Sequence, residues 1–384
     1  MLFRSPGRHP LVRRLRRRQG LSVSGQISFW FLQPSITIGI GQVVFQLVVF
    51  SILLTGMAGA GDPEVKAITV PADLRRVTSH PELSGIVWSP SFRRYLVVTD
   101  DSGLRDQDSN HEPLLLSLNT DGVLDRVPVP IRGVKKINDA ESICAGPDGT
   151  FFVVTSHSPN RENRTSVWRR QLLQLQPEKG SMRVVASLDL TDIKGGGSLL
   201  SLVGLPPEDR LDIEAVGYHD DALFIGFKSP LTQQGQAVIA RIHKPREALR
   251  EGRLQAKAVE RFLAVSLCVD EKGERVCQGV SDMTFLPDGS LVLTANAPKG
   301  GPKDHGGALW HLPRPVEKAT PVMLRRFSGL APEGVTLAAS GRALIVVFDC
   351  RTEPSKWMEL PLPTTKAPSR DPGIRAKRGA KVGE

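Results

Sequence analysis

A single pattern recurs five times along this chain, and no other feature constrains its fold as much. In register the copies are LSGIVWSPSFRRYLVVTDD (83–101), AESICAGPDGTFFVVTSHS (140–158), IEAVGYHDDALFIGFKSP (213–230), VSDMTFLPDGSLVLTANAP (280–298) and PEGVTLAASGRALIVVFDC (332–350). Each has Ser or Glu as its second residue, then a small or polar residue, then a short apolar run. A turn built from Gly, Asp, Pro or Ser follows, and a second run rich in Val, Leu and Phe ends in polar residues. Turn chemistry between two such runs reads as a β-hairpin. A third apolar segment comes after each hairpin (PLLLSLN, RRQLLQLQ, AVIARIH, ALWHLP, WMELPLP), and in four copies a fourth follows.

Four-stranded units recurring at roughly 40–50 residues, or longer where loops are inserted, are the blades of a β-propeller. The fifth copy lacks a fourth strand, while EVKAITVP (64–71) precedes the first copy with no partner. A ring closed by that N-terminal strand resolves both facts. The expectation is therefore an all-β, five-bladed β-propeller over 61–364, with a sixth, degenerate blade as the alternative.

The termini are separate matters. Seven arginines and no acid fill positions 1–18, no charge occurs between Gln19 and Gly61, and Ala58-Gly59-Ala60 matches a small-residue cleavage pattern. Residues 1–60 read as a signal peptide or an N-terminal anchor. Either form leaves the arginines on the cytoplasmic side and exports the propeller to the periplasm or the medium. The stretch 365–384 is a basic, Pro/Gly-rich segment of the kind that stays disordered. The net charge of +10 belongs to these two ends; what lies between them is near neutral, which argues against a nucleic-acid surface. Contact with a membrane is expected only through an uncleaved leader, and the propeller is read as a monomer. Cys268 and Cys277 flank the polar loop VDEKGERV, an arrangement that an exported chain often closes as a disulfide.

In a propeller the innermost strands line the central channel, so corresponding heads of those strands meet around one axis. The five heads are Ser84, Glu141, Glu214, Ser281 and Glu333. Three carboxylates converging there repel one another unless protonated or neutralised. A hard divalent cation with oxygen ligands answers that problem, and calcium accepts such a mixed set in flexible geometry. The five heads are thus candidate calcium ligands, with Asp282 as a substitute for Ser281; the alternative is a channel that is merely wet. The ends of the second strands, Asp100-Asp101, Ser156-His157, Lys228-Ser229, Asn296 and Asp349, should emerge on the same face. His157 and Lys228, with Arg161 and Arg164 nearby, would form a mixed acid–base constellation at the mouth. GxSxG, Walker and HExxH motifs are absent from the sequence, which removes the common nucleophilic and P-loop readings and keeps hydrolysis by a metal-activated water open.

Two resemblances attach to these residues. The set LSGIVW, DAESI…VVTSHSPNR, DIEAVG…LFIGFKSPL and APEGV resembles an uncharacterised bacterial propeller family close to the phytase-like and esterase-like propellers, over roughly 75–362. The sequence departs from it mildly, with Ala215 where Gly is expected and Lys228 where Arg is usual. The Ser-Glu-Glu-Ser-Glu order looks like the calcium ring of five-bladed apyrase-type nucleotidases, which implies the five heads as ligands of one ion. Two functions follow as expectations. One is a calcium-dependent hydrolase of phosphoester or related ester bonds in a small anionic substrate, with His157 as acid/base and Lys228 and Arg161 holding the anion. The other is a non-catalytic envelope module whose calcium locks the blades. A lactonase-like propeller would want Asn and Asp among the ligands, and the ring lacks them.

Overall fold

The computed structural model describes residues 63–363 apart from 77–80, 101–110, 161, 272, 299–305 and 351–353. The leader, the basic tail, Asp101 and Arg161 therefore lie outside the described residues.

The repeated hairpins form as their turns dictate, and each is extended by its third and fourth segments into a four-stranded antiparallel unit. Blade one comprises Leu83–Ser89, Arg94–Thr99, Leu114–Leu118 and Val129–Arg132; blade two comprises Ala140–Ala145, Phe151–Thr155, Leu172–Glu178 and Ser181–Leu188. Blade three is built from Asp212–His219, Ala222–Ser229, Ala237–His243 and Val259–Val265, and blade four from Gly279–Phe285, Leu291–Asn296, Ala308–Leu312 and Val322–Arg326. Blade five has Ala331–Leu337, Ala343–Asp349 and Lys356–Pro361 from the end of the chain. Its fourth strand is Lys66–Ala67 from the beginning, paired antiparallel as Lys66↔Trp357 and Ala67↔Lys356. The outer strands of blades one and two also pair, in parallel, at Ile131↔Met182 and Arg132↔Arg183, which merges those two units into one eight-stranded sheet.

The fold is an all-β propeller, with five four-stranded units among the described residues. Its second strands carry an uninterrupted buried run through their middle because both faces are covered. In Phe151–Thr155, Phe151 and Val153 pack with blade one, while Phe152 and Val154 pack with blade three. This is the two-residue alternation of a pleated strand. The same holds around the ring: five apolar clusters fill the spaces between blades two and three, three and four, five and one, one and two, and four and five. Cys268 and Cys277 sit opposite each other in a hairpin before blade four and are joined as a disulfide. Cys144 and Cys350 take no part in a disulfide.

Below the strand heads the channel narrows to a polar waist. The residues that follow the heads are Gly85, Ser142, Ala215, Asp282 and Gly334, all short. A Cβ on Gly85 would stand 2.5 Å from the Cα of Ser142, and one on Gly334 would strike the carbonyl of Ser84. Only small groups fit where the blades pinch together. The two polar ones are tied to each other, with Ser142 Oγ donating to Asp282 Oδ1 at 2.6 Å. Asp282 Oδ2 accepts the backbone N–H of Val335 at 2.8 Å, and the N–H groups of Met283 and Ile86 also point at this carboxyl. Ser142 Oγ in turn accepts from the N–H of Val216 at 3.0 Å. The cluster thereby touches the inner strand of every blade.

Candidate functional site

Each strand head stands at an irregularity of its hairpin. The register of the inner strand shifts between Leu83 and Ile86, Ala140 and Ser142, Ile213 and Ala215, Val280 and Asp282, and Pro332 and Gly334. The residues spanned by these shifts include Ser84, Glu141, Glu214, Ser281 and Glu333, one head per blade. A β-bulge inserts an unpaired residue and re-aims its side chain, a device common beside functional sites. The five-fold register read from the sequence is thus a five-fold set of bulges.

The bulges bring Glu214 and Glu333, from non-adjacent blades, to one cation. Lys228 Nζ lies 2.5 Å from Glu214 Oε2 and 3.6 Å from Glu333 Oε2, with side chains only 12%, 5% and 17% exposed respectively. In blade three the ladder steps from Asp212↔Ser229 to Ile213↔Phe227, so Lys228 is skipped on one strand as Glu214 is on the other. Burial pulls the Lys228 ammonium down, but the charges of Glu214 and Glu333, the hydrogen bond to Glu214 and the charge of Asp212 outweigh it and hold the pKa well above the ordinary lysine value. Lys228 is charged, and it neutralises carboxylates within the protein; it was expected to hold an external anion. Ser281 Oγ accepts from Asn296 Nδ2 at 2.9 Å, and Asn296 also donates to Pro332 O at 3.0 Å. Ser84 and Glu141 are buried.

As a calcium site this donor set has the right chemistry and an obstacle. Carboxylates and hydroxyls suit a hard ion, but Lys228 Nζ already stands against two of the carboxylate oxygens. Among the described residues, no three His, Cys, Asp or Glu side chains form a group arranged to hold a metal. Asp282, expected as a reserve ligand, is turned to the waist instead. Burial pushes its carboxyl well above the usual range, against the pull of its donors.

His157 is not assembled with Lys228. It is 4% exposed, its Nδ1–H donates to Thr155 O at 2.7 Å, and its Nε2 has no hydrogen-bond partner. Burial lowers its pKa to about 4, so the ring is neutral at pH 7; the charges that act on it are Asp189 and Arg170, not the carboxylates of the ring. A general acid/base needs reach to a reacting proton, and this imidazole lacks it.

A cleft of about 1110 Å³ opens at the mouth of blades one to three, lined by Asp100 and Arg164 and by several residues that the sequence pattern did not single out. Its lining includes Glu82 and Asp139, two positions before the heads Ser84 and Glu141, together with Lys136, Arg164, Trp168, Arg169 and Arg210. Arg169 is buried and fully used: its guanidinium pairs with Asp139 and donates to Asn138 Oδ1, Ser156 Oγ and Ser158 Oγ, and its Nε donates to Ser158 O. It therefore acts as a brace for the segment after Thr155. Arg210 Nη2 donates to Pro159 O at 2.5 Å, and Arg164 stands 3.6 Å from Glu162 with its side chain 78% exposed. The visible signal for this brace was SHSPNR followed by a charged run, which reads on sequence grounds as an ordinary solvated loop.

No family model matches the chain, and no curated protein matches it. Among solved structures, it is similar to a gluconolactonase from Xanthomonas campestris at 11% identity and a TM-score of 0.38, covering 80% of this chain and 99% of that one. A glucose dehydrogenase aligns at 11% identity and a TM-score of 0.41, covering 78% and 100%. An exo-β-1,3-galactanase from Phanerochaete chrysosporium aligns at 10% and 0.43, covering 79% and 65%. The propeller assignment rests on the strand pairing described above, and likenesses this distant add nothing about activity.

Proposed function

We propose that this protein is an exported β-propeller that binds a small polar anion at the funnel mouth. The observation that carries the reading is the mouth cleft of about 1110 Å³, a volume suited to a small molecule. Of its four acids, Asp139 is committed to Arg169, Glu162 is held by Asn160 and Arg164, Glu82 is buried and Asp100 is half-buried. The cationic ends of Arg164 and Arg210 are the groups best placed to meet a ligand, and planar guanidinium forks match carboxylate and phosphate oxygens. The leader sequence and the Cys268–Cys277 disulfide support export, since such bridges persist in oxidising compartments.

The test is a thermal-shift and calorimetric screen of the protein against phosphoesters, nucleotides, sugar acids and simple carboxylates. One class should bind, and replacing Arg164 and Arg210 together with Ala should weaken that binding at least about tenfold, as the loss of two charge-assisted contacts implies. Failure of every class to bind would remove the reading. Hydrolysis of the bound molecule is the second reading, with Lys228 committed to Glu214 and Glu333 rather than to the substrate. The resemblance to phytase-like, esterase-like and apyrase-type propellers is the reason to assay phosphoesters and nucleotides for turnover. Calcium enters as a rival of Lys228 for the ring carboxylates.

A further inference from the structure

The ring of strand heads poses a charge problem that the chain solves with one of its own side chains. Glu214 and Glu333 come from blades three and five, and a single Lys228 Nζ reaches both, at 2.5 and 3.6 Å. The lysine is positioned by two independent features. Lys228 and Glu214 are the two residues omitted from the ladder of one hairpin, so a common irregularity aims both side chains. Gly279, on the inner strand of blade four, lies so close that a Cβ there would stand 2.5 Å from the Cα of Lys228. The lysine backbone is thus clamped between blades, and only the side chain has freedom to turn.

We infer that Lys228 is the resident cation of the ring, taking the charge-balancing place of a divalent ion, so that the ring is metal-independent as built and becomes a divalent-cation site once the ammonium is removed. A dication drawn to the Glu214 and Glu333 oxygens would have to stand beside an ammonium that already touches them, and like charges at contact distance in a partly dry site repel strongly. Without the ammonium, those two carboxylates regain the charge that attracts a hard ion, and the affinity of such a site follows its count of charged ligands. Glu141 and the hydroxyls of Ser84 and Ser281 occupy the equivalent bulges and offer further oxygen donors. The inference does not depend on the ligand proposed for the mouth cleft, and its test uses no such ligand.

The experiment is calcium titration by calorimetry and melting, in chelator and in calcium, of the wild type, Lys228→Met and Lys228→Arg. The wild type should show no isotherm, no bound calcium by elemental analysis and the same melting temperature in both buffers. Lys228→Met should melt lower in chelator, recover on adding calcium and bind calcium at least about tenfold more tightly than the wild type, as a gain in net ligand charge requires. Lys228→Arg keeps the charge and should remain insensitive. One calcium per chain in the wild type, or a Lys228→Met protein that melts like the wild type in both buffers, would overturn the inference. If Lys228→Met fails to fold in chelator, folding restored by calcium supports it. If calcium does not restore folding, Lys228→Met with Glu214→Gln and Glu333→Gln decides. A folded, calcium-insensitive triple variant supports charge balance as the role of the lysine, and a triple variant as unfolded as the single one overturns it.

Discussion

The waist and the mouth of the channel both hold acidic side chains away from bulk water, the waist more deeply, and satisfy them in opposite ways. At the waist, Asp282 is held by Ser142 and by backbone N–H groups of strands that cannot move without opening the ring. At the mouth, Glu214 and Glu333 are answered by one long side chain with several rotatable bonds. Fixed backbone donors make the first cluster part of the framework. A flexible ammonium makes the second one adjustable, because its partner can be turned away or replaced. Structure and site are separated along the axis by a single residue step, from each head to the small residue after it.

That contrast is best attacked at the waist. Asp282→Ala strips the acceptor from several buried donors at once, and each buried group left unpaired costs about 1–3 kcal/mol. A loss of about 3–5 kcal/mol is expected, read as a lower urea midpoint with an unchanged denaturant slope. A loss below about 1 kcal/mol would show that the waist is not framework. Next comes His157, which is buried like the waist residues but has no partner on Nε2. Its pKa falls from 6.5 to about 4 on folding, so as the pH drops the unfolded chain takes up the proton first. The stability it contributes is complete above pH 6.5 and is lost as the pH falls towards 4, about 3 kcal/mol in all. Melting of His157→Gln against pH should be flatter than that of the wild type over this window, and identical profiles would refute the assignment.

A smaller effect belongs to the mouth. Lys228→Met in chelator should cost about 2 kcal/mol, short of the upper range for broken buried pairs because the site is partly wet. Adding Glu214→Gln should give back part of that loss, a coupling of about 1 kcal/mol in a double-mutant cycle; strict additivity would mean that the two residues do not act as a pair. The smallest change is expected on the outer surface. Arg94 and Asp125 are both 40% exposed and pair at 3.2 Å, and Arg94→Ala should alter stability by no more than about 0.5 kcal/mol, with any effect fading as salt is added.

The architecture was legible because hairpins, turns and apolar runs are local, and five copies in register reinforce one another. Even the closing strand could be read, from an apolar run at one end and a missing strand at the other. The heads were legible as a set. What held them was not, because pairing Lys228 with Glu333 requires knowing that blades three and five face each other across the axis. The double irregularity at Lys228 and Glu214 is likewise invisible in a pattern that counts only apolar and polar positions. His157 was misjudged for a related reason. A polar strand end looks solvated in sequence, whereas Arg169 ties the segment after Thr155 to the blade and the imidazole of His157 is buried. Asp282 carried a signal that was readable in retrospect: it and Ser142 are the only polar residues at a position otherwise held by Gly or Ala.

The closing strand sets an order of events for the newborn chain. Lys66–Ala67 is made before any blade, yet its partner Lys356–Pro361 is made after all of them. The first segment must therefore wait, unpaired, while four blades are completed from contiguous sequence. Pairing across some 290 residues then closes the circle, and contacts so distant in sequence are the slow ones to form. Until that moment blade five presents a bare edge, the kind of surface on which partly made chains stick to one another. A circular permutant that joins the strand directly to blade five and opens the chain between blades would remove the wait. Its refolding should be faster than that of the natural order, while its final stability need not change.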